Sequence, residues 1–102
     1  MKVDIHKLSK AFENRVRLGI MSALIAGEAM DFNRLKELLE VTDGNLASHL
    51  KALEKEAFVE VQKSFIGRKP NTKYMVTKLG KKAFMEHINA LEALIKKQTG
   101  RG

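Results

Sequence analysis

Few side chains in this sequence are of a type and spacing that could carry out a reaction. Histidines stand at 6, 49 and 87. Metal ligands come closely spaced on one element or in matched pairs, whereas these three are scattered, so each reads as a surface or packing histidine. The acid pairs Glu37 with Glu40 and Glu54 with Glu56 fall in charge-patterned stretches that read as solvated helix faces, not as a pocket for general acid and base. There is no cysteine, which removes thiolate nucleophiles, thiolate metal sites and disulfides together. No glycine-rich phosphate loop, nucleophile elbow or metalloprotease helix occurs. These residues predict no enzyme, no cofactor and no metal, and the chemistry that remains is binding.

The charge says what would be bound. The chain of 102 residues carries a formal net charge of +7. A surface that is merely solvated spreads such an excess, whereas a face that grips a polyanion concentrates it. Between residues 59 and 82 there are seven Lys and Arg against one acid, while residues 31 to 58 hold four against six. Lys63, Arg68, Lys69 and Lys73 lie in the basic segment, and just before it stand the short polar side chains Thr42, Asn45 and Ser48, with His49 and Lys51. Asn bonds adenine bidentately, Ser and Thr serve bases or phosphates, and cations neutralise phosphates. That set suits double-stranded DNA.

Elements must then hold those groups in place. From Asp4, a candidate N-cap, apolar residues recur at Leu8, Phe12, Val16, Ile20 and Leu24, predicting a helix over 4–26 that Gly27 ends. Phe32, Leu35, Leu38 and Leu39 form one stripe of a short helix to about Glu40. A third helix begins after Thr42 or Asp43. Its Leu46, Leu50, Leu53 and Ala57 fall on one side, and Gly44, Ser48, Lys51 and Lys55 on the other. The period then shortens to two at Val59, Val61 and Phe65, a strand. Gly67, Pro70 and Asn71 mark a turn around Arg68 and Lys69, and Thr72–Val76 returns as a second strand. Thr77 can cap a last helix over 78–97 with Phe84, Ile88, Leu91 and Ile95 on one stripe. The five methionines read as core filler.

The expected fold is mainly α with a small β-hairpin, in the order of a winged helix-turn-helix. In that arrangement the second helix of the pair enters the major groove, and the hairpin lies on the backbone or in the minor groove. Thr42, Asn45, Ser48, His49 and Lys51 are the candidate recognition residues, and Lys63, Arg68, Lys69 and Lys73 the candidate wing contacts. His49 lies roughly 60° from the apolar stripe, so it either reads DNA or packs at the core edge. Arg34 is a further candidate for a phosphate.

The stretches Glu13–Met21, Phe32–Leu39, Thr42–Glu54 and Tyr74–Phe84 together resemble small bacterial and archaeal winged-helix regulators of the arsenic-repressor and multiple-antibiotic-resistance types. The resemblance spans roughly residues 12 to 85. It implies a homodimer whose terminal helices pair across a two-fold axis and place two recognition helices on successive major grooves, and the expected function is that of a regulator, a repressor, on a roughly palindromic site. Arg17 matches a family arginine that either touches phosphate or braces the fold. Ala47 departs from the pattern, standing where many relatives carry serine, and the missing cysteines exclude a thiolate sensing site. The residues agree with pairing, because the Ile5, Leu8, Phe12 stripe and the Ile88, Leu91, Ile95 stripe offer more apolar surface than a small core covers.

The length suits one domain over 1–102 with one modest core. The longest nearly apolar run, Leu18–Gly27, is about half the roughly 20 residues that cross a bilayer, and the N-terminus has no secretory pattern, so the expected location is the cytoplasm, with no membrane partner. Any small effector is invisible in the sequence. A fold does not fix a function, and the acidic balance of residues 31 to 58 keeps open a second possibility, a winged-helix module that binds protein and not DNA.

Overall fold

The computed structural model describes residues 4–99. A short 3-10 turn, Lys10–Phe12, precedes α1 (Arg15–Ala26). There follow β1 (Met30–Asp31), α2 (Phe32–Leu39), α3 (Asp43–Lys55), β2 (Val59–Ile66), β3 (Lys69–Val76) and α4 (Lys78–Thr99). The expected frayed tail, apart from Thr99, lies outside the described residues.

The first helix begins ten residues later than the Asp4 cap would place it. Asn14 is the true cap: its Oδ1 accepts the backbone N–H of Val16 at 2.8 Å and of Arg17 at 3.2 Å. The reason lies in the spacing itself. Apolar residues four apart advance about 40° around a helix at each step, so a continuous helix from Leu8 to Leu24 would swing its stripe by roughly 160°. Breaking the chain at Glu13–Asn14 resets the phase, and Phe12, Val16, Ile20 and Leu24 all reach one core.

That core contains Phe12, Val16, Ile20, Met21, Leu24, Leu35, Leu46, Leu50, Leu53, Val59 and Phe84. Phe12 is fully enclosed, with ring centroids 5.3 Å from Phe58 and from Phe84 and 5.5 Å from His87. Such ring pairs contribute about 0.5–1.5 kcal/mol each beyond their buried area. Phe12 therefore cannot belong to a surface offered to a second chain, and the expected partner-facing set is corrected to exclude it. His87, 3% exposed, accepts the Ser9 N–H at Nδ1, 2.9 Å, and so ties the segment before α1 to α4. His6 is exposed.

Two further differences concern local geometry. Ala57 was expected on the buried stripe of α3, but α3 ends at Lys55 and Ala57 is exposed. It takes a left-handed conformation, φ 63°, which reverses the chain into β2. The sheet also has three strands and not two, in the order β1-β3-β2, all antiparallel. β1 is only Met30 and Asp31, opposite Tyr74 and Lys73, too short for any periodicity to reveal. Asp31 at once caps α2 by accepting the Arg34 N–H, 2.8 Å, and Glu40 closes α2 in the left-handed region.

Thr77 is the single residue between β3 and α4. Its hydroxyl donates to the Ala57 carbonyl, 2.7 Å, and accepts the Gly80 N–H, 2.9 Å, while its own N–H donates to Phe58 O, 3.0 Å. The expected cap is thus also a clamp on the α3–β2 junction. Gly80 makes the clamp possible, since a Cβ there would run into the Phe58 backbone, with its carbonyl carbon at 2.8 Å. Gly80→Ala is expected to lower unfolding stability by about 1–3 kcal/mol, the range for an added methyl in a packed site. Urea denaturation checks this, and an unchanged midpoint would contradict the close contact.

Candidate nucleic-acid interface

α3 is pinned by Leu46, Leu50 and Leu53, each at most 1% exposed, and this fixes which side faces solvent. Gly44, Ser48, Lys51 and Lys55 are all exposed on the opposite side, and Asn45 is exposed beside them. Thr42 caps the helix, its Oγ1 accepting the Asn45 N–H at 3.2 Å. The cap uses an acceptor lone pair, and the Thr42 O–H remains able to donate. The free N–H groups and partial positive charge at this end suit an anion such as a phosphate. Lys36 Nζ meets Asp43 Oδ1 at 2.7 Å, joining α2 to the start of α3, although so exposed a pair adds little stability.

His49 is half-buried on the flank of α3. Arg17 Nε donates to His49 Nδ1 at 3.1 Å. A guanidinium N–H is always a donor, so Nδ1 must be the unprotonated nitrogen, and the ring proton of neutral His49 sits on Nε2. This bond gives Arg17 a bracing contact and His49 a half-buried place on the flank of α3, with its ring proton at Nε2. Burial first, and the Arg17 charge second, lower the His49 pKa below its ordinary value. Arg34 stands exposed on α2.

The wing is built by β2 and β3, paired without interruption from Val59↔Val76 to Ile66↔Lys69. The turn is therefore only Gly67–Arg68. Lys69 and Pro70 belong to β3, against the expectation of a longer loop around Arg68 and Lys69. Gly67 has φ +65° and Arg68 does not share a positive φ, the pattern of a type II′ hairpin turn, whose first corner favours glycine. Lys63, Arg68 and Lys69 are exposed and Lys73 is half-buried. No acidic residue occurs between Val61 and Thr77, so the hairpin beyond its base carries one sign of charge.

Phe65, expected among the inward residues of its strand, is 72% exposed, and Ile66 beside it is 69% exposed. The alternation is real, but the hairpin outruns the core that would cover them. The residues placed for pairing lie elsewhere. Along α4, Phe84 is buried, Ile88 and Leu91 are half-buried and Ile95 is 60% exposed, while in the N-terminal segment Leu8 is half-buried and Ile5 is 60% exposed.

Among the described residues no group of three metal-ligating side chains occurs, and no helix is long and apolar enough to cross a membrane. A helix pair with a solvent-facing second helix, followed by a two-stranded cationic wing, defines a winged-helix domain. The chain belongs to the winged helix DNA-binding domain family, whose sequence profile matches residues 16–95. It is 42% identical over 87 residues to an uncharacterized protein of Methanocaldococcus jannaschii, covering 85% of this chain and 95% of that one. Its fold matches a transcriptional regulator homologue from Pyrococcus horikoshii OT3 with a TM-score of 0.82 and 32% identity, over 89% of this chain and 90% of that one. The transcriptional repressor CouR, solved on a 23-mer DNA duplex, shares the fold at a TM-score of 0.74 and 17% identity, over 95% and 70% of the two chains. Regulators of the MarR family have this fold as well.

The His49 environment gives a pH signature. Because its pKa is lower in the folded than in the unfolded chain, the unfolded chain takes up the proton first. Stability from this group is complete above about pH 6.5 and declines as pH falls through the folded value. Urea midpoints at pH 7.5 and 5.5 are expected to fall further for the wild type than for His49→Gln, and equal losses would remove the assigned environment.

Proposed function

We propose that this chain is a transcriptional regulator, acting as a repressor, that binds a roughly palindromic DNA site as a homodimer. The observation that carries the proposal is the placement of two unlike surfaces in succession. The outer face of α3 presents Asn45 and Ser48 with Lys51 and Lys55, and the hairpin beyond Val61 presents cations without an acid among them. α3 is the size and polarity for a major groove, where Asn45, Ser48 and Lys51 reach base edges or phosphates and His49 offers a donor at Nε2. Lys63, Arg68, Lys69 and Lys73 hold the backbone nearby. Arg34, and any free guanidinium nitrogen of Arg17, add phosphate contacts from the flank. Family membership supports DNA as the partner, as does the likeness in fold to a repressor solved on a duplex. The whole chain, residues 1–102, serves as one DNA-binding domain of the cytoplasm.

The graded burial of α4 supports the dimer. Its inward stripe is covered at Phe84, partly covered at Ile88 and Leu91, and continues to Ile95. A second copy completes that cover with Ile5 and Leu8 of its N-terminal segment, and two-fold symmetry makes the contact reciprocal. An open groove of about 440 Å³, lined by Asp4, Lys7, Glu86, Asn89, Ala90 and Ala93, runs between the same two elements.

Selection from a random duplex pool, followed by titration at several salt concentrations, tests the proposal. Binding is expected to show sequence preference and a steep salt dependence. Arg68→Gln with Lys69→Gln should weaken binding to all duplexes alike and shallow the salt slope by about 1 for each phosphate no longer neutralised. Asn45→Ala or Ser48→Ala should instead change which sequence is preferred. No duplex affinity at low salt, with capture of a protein through α3, would replace this proposal by the protein-binding alternative.

Gly44 adds a sharper test. It lies in the first turn of α3, and a Cβ there would meet no atom of the chain within 4 Å, so the fold does not require glycine. Gly44→Ala should raise stability by up to about 1 kcal/mol, the helix propensity difference. If a duplex seats against that turn, the same methyl should weaken DNA binding. A rise in Tm with unchanged DNA affinity would move the contact away from this turn.

A further inference from the structure

The tip of the hairpin carries two large apolar side chains where neither fold nor charge calls for them. A single exposed apolar residue is ordinary. Here Phe65 and Ile66 are adjacent, more than two-thirds exposed, and followed directly by the Gly67–Arg68 turn. Since side chains alternate along a strand, Phe65 stands on the face of Val59 and Val61 and Ile66 on the other. Phe65 is paired with Pro70 and Ile66 with Lys69, so both faces of the tip are partly apolar, with Lys63, Arg68 and Lys69 set among them.

We propose that the wing tip is an apolar wedge for the DNA minor groove, in which Phe65 and Ile66 press on the sugar edges and the base step while Arg68 and Lys69 neutralise phosphates on the rims. The inference rests on DNA being the partner, as argued above. The charge selects a polyanion, because the hairpin from Val61 to Thr77 has cations and no acid. The base of the hairpin is held beside α3: Val59, 2% exposed, packs in the core that also holds Leu46, Leu50 and Leu53 of α3.

Size then dictates what the wedge does. Sheets with their side chains pack about 10 Å apart face to face, which sets the thickness of such a ribbon, and the B-form minor groove is about 6 Å wide. A tip with side chains on both faces is broader than that groove and must open it. Inserted apolar residues unstack a base step and bend the duplex toward the major groove. Pyrimidine–purine steps yield most readily, whereas stiff A-tracts keep the groove narrow. The tip thus reads deformability at positions that α3 does not touch, and favours TA or CA steps there.

The test uses the full chain and a duplex of about 30 base pairs, long enough to span a bent site, recovered by the wild type from a random pool. The double variant Phe65→Ser, Ile66→Ser is expected to bind roughly tenfold more weakly, from reduced apolar burial, with the slope of log K against log salt unchanged. The change in end-to-end energy transfer that reports bending should disappear. Reselection with the variant should no longer enrich TA or CA steps at the flanks, and Phe65→Leu, Ile66→Leu should restore much of the affinity. The residues are exposed, so a thermal melt matching the wild type establishes that the variant is folded. Unchanged affinity and bending, or a loss confined to the salt slope, would overturn the wedge alone. Wild-type binding to phosphatidylserine vesicles that the variant loses, with DNA binding intact, would assign the tip to a lipid surface and overturn it too. Recovery of no duplex by the wild type would bring down the DNA proposal itself.

Discussion

The enclosure of one ring governs this structure. Phe12 precedes the first full helix, yet it touches Phe58 at the α3–β2 junction and both Phe84 and His87 of α4. A domain of this size holds only a small core, and truncating a buried Phe in such a core costs about 3–5 kcal/mol, a large share of the roughly 5–15 kcal/mol by which domains are stable. The break at Asn14 exists so that this ring can turn inward. The bond from Ser9 N–H to His87 then holds the segment in place. That closure adds to the contacts by which α3 and α4 share one core.

Most of this could be read from the residues, because the long periodic segments carry strong signals. The stripe Leu46, Leu50, Leu53 fixed the outward side of α3, and Thr42 and Thr77 cap the helices they were expected to cap. The failures share a physical cause: they are decided by contacts distant in sequence. Four-residue spacing has the look of one helix, and only the drift of the stripe around a straight cylinder reveals that Asn14 must cap a second start. Ala57 satisfies the apolar pattern yet takes a left-handed turn because Phe58 and Val59 must reach the core. β1 exists only as a partner of β3. Phe65 obeys strand alternation, but how far the core extends beneath a strand is not written in the strand.

Electrostatics and packing divide the labour within the site. Leucines, caps and the Arg17–His49 bond set orientation, and little of that apparatus is free to contact a ligand. The groups left facing outward are Asn45 and Ser48 early in α3, Lys51 and Lys55 further along it, and Lys63, Arg68 and Lys69 on the wing. His49 sits at the boundary, since its Nδ1 is occupied from within by Arg17 while burial favours its neutral form. Its chemistry toward the outside is thereby narrowed to one proton in one place.

Only Thr77 separates the hairpin from α4, and its hydroxyl and amide are both engaged by the turn that ends α3. There is no slack segment at which one of these parts could pivot while the others stay still. To swing the 22-residue α4 against the ribbon, the chain would first have to give up the Thr77 hydroxyl and amide bonds, so the angle between them is set at this joint.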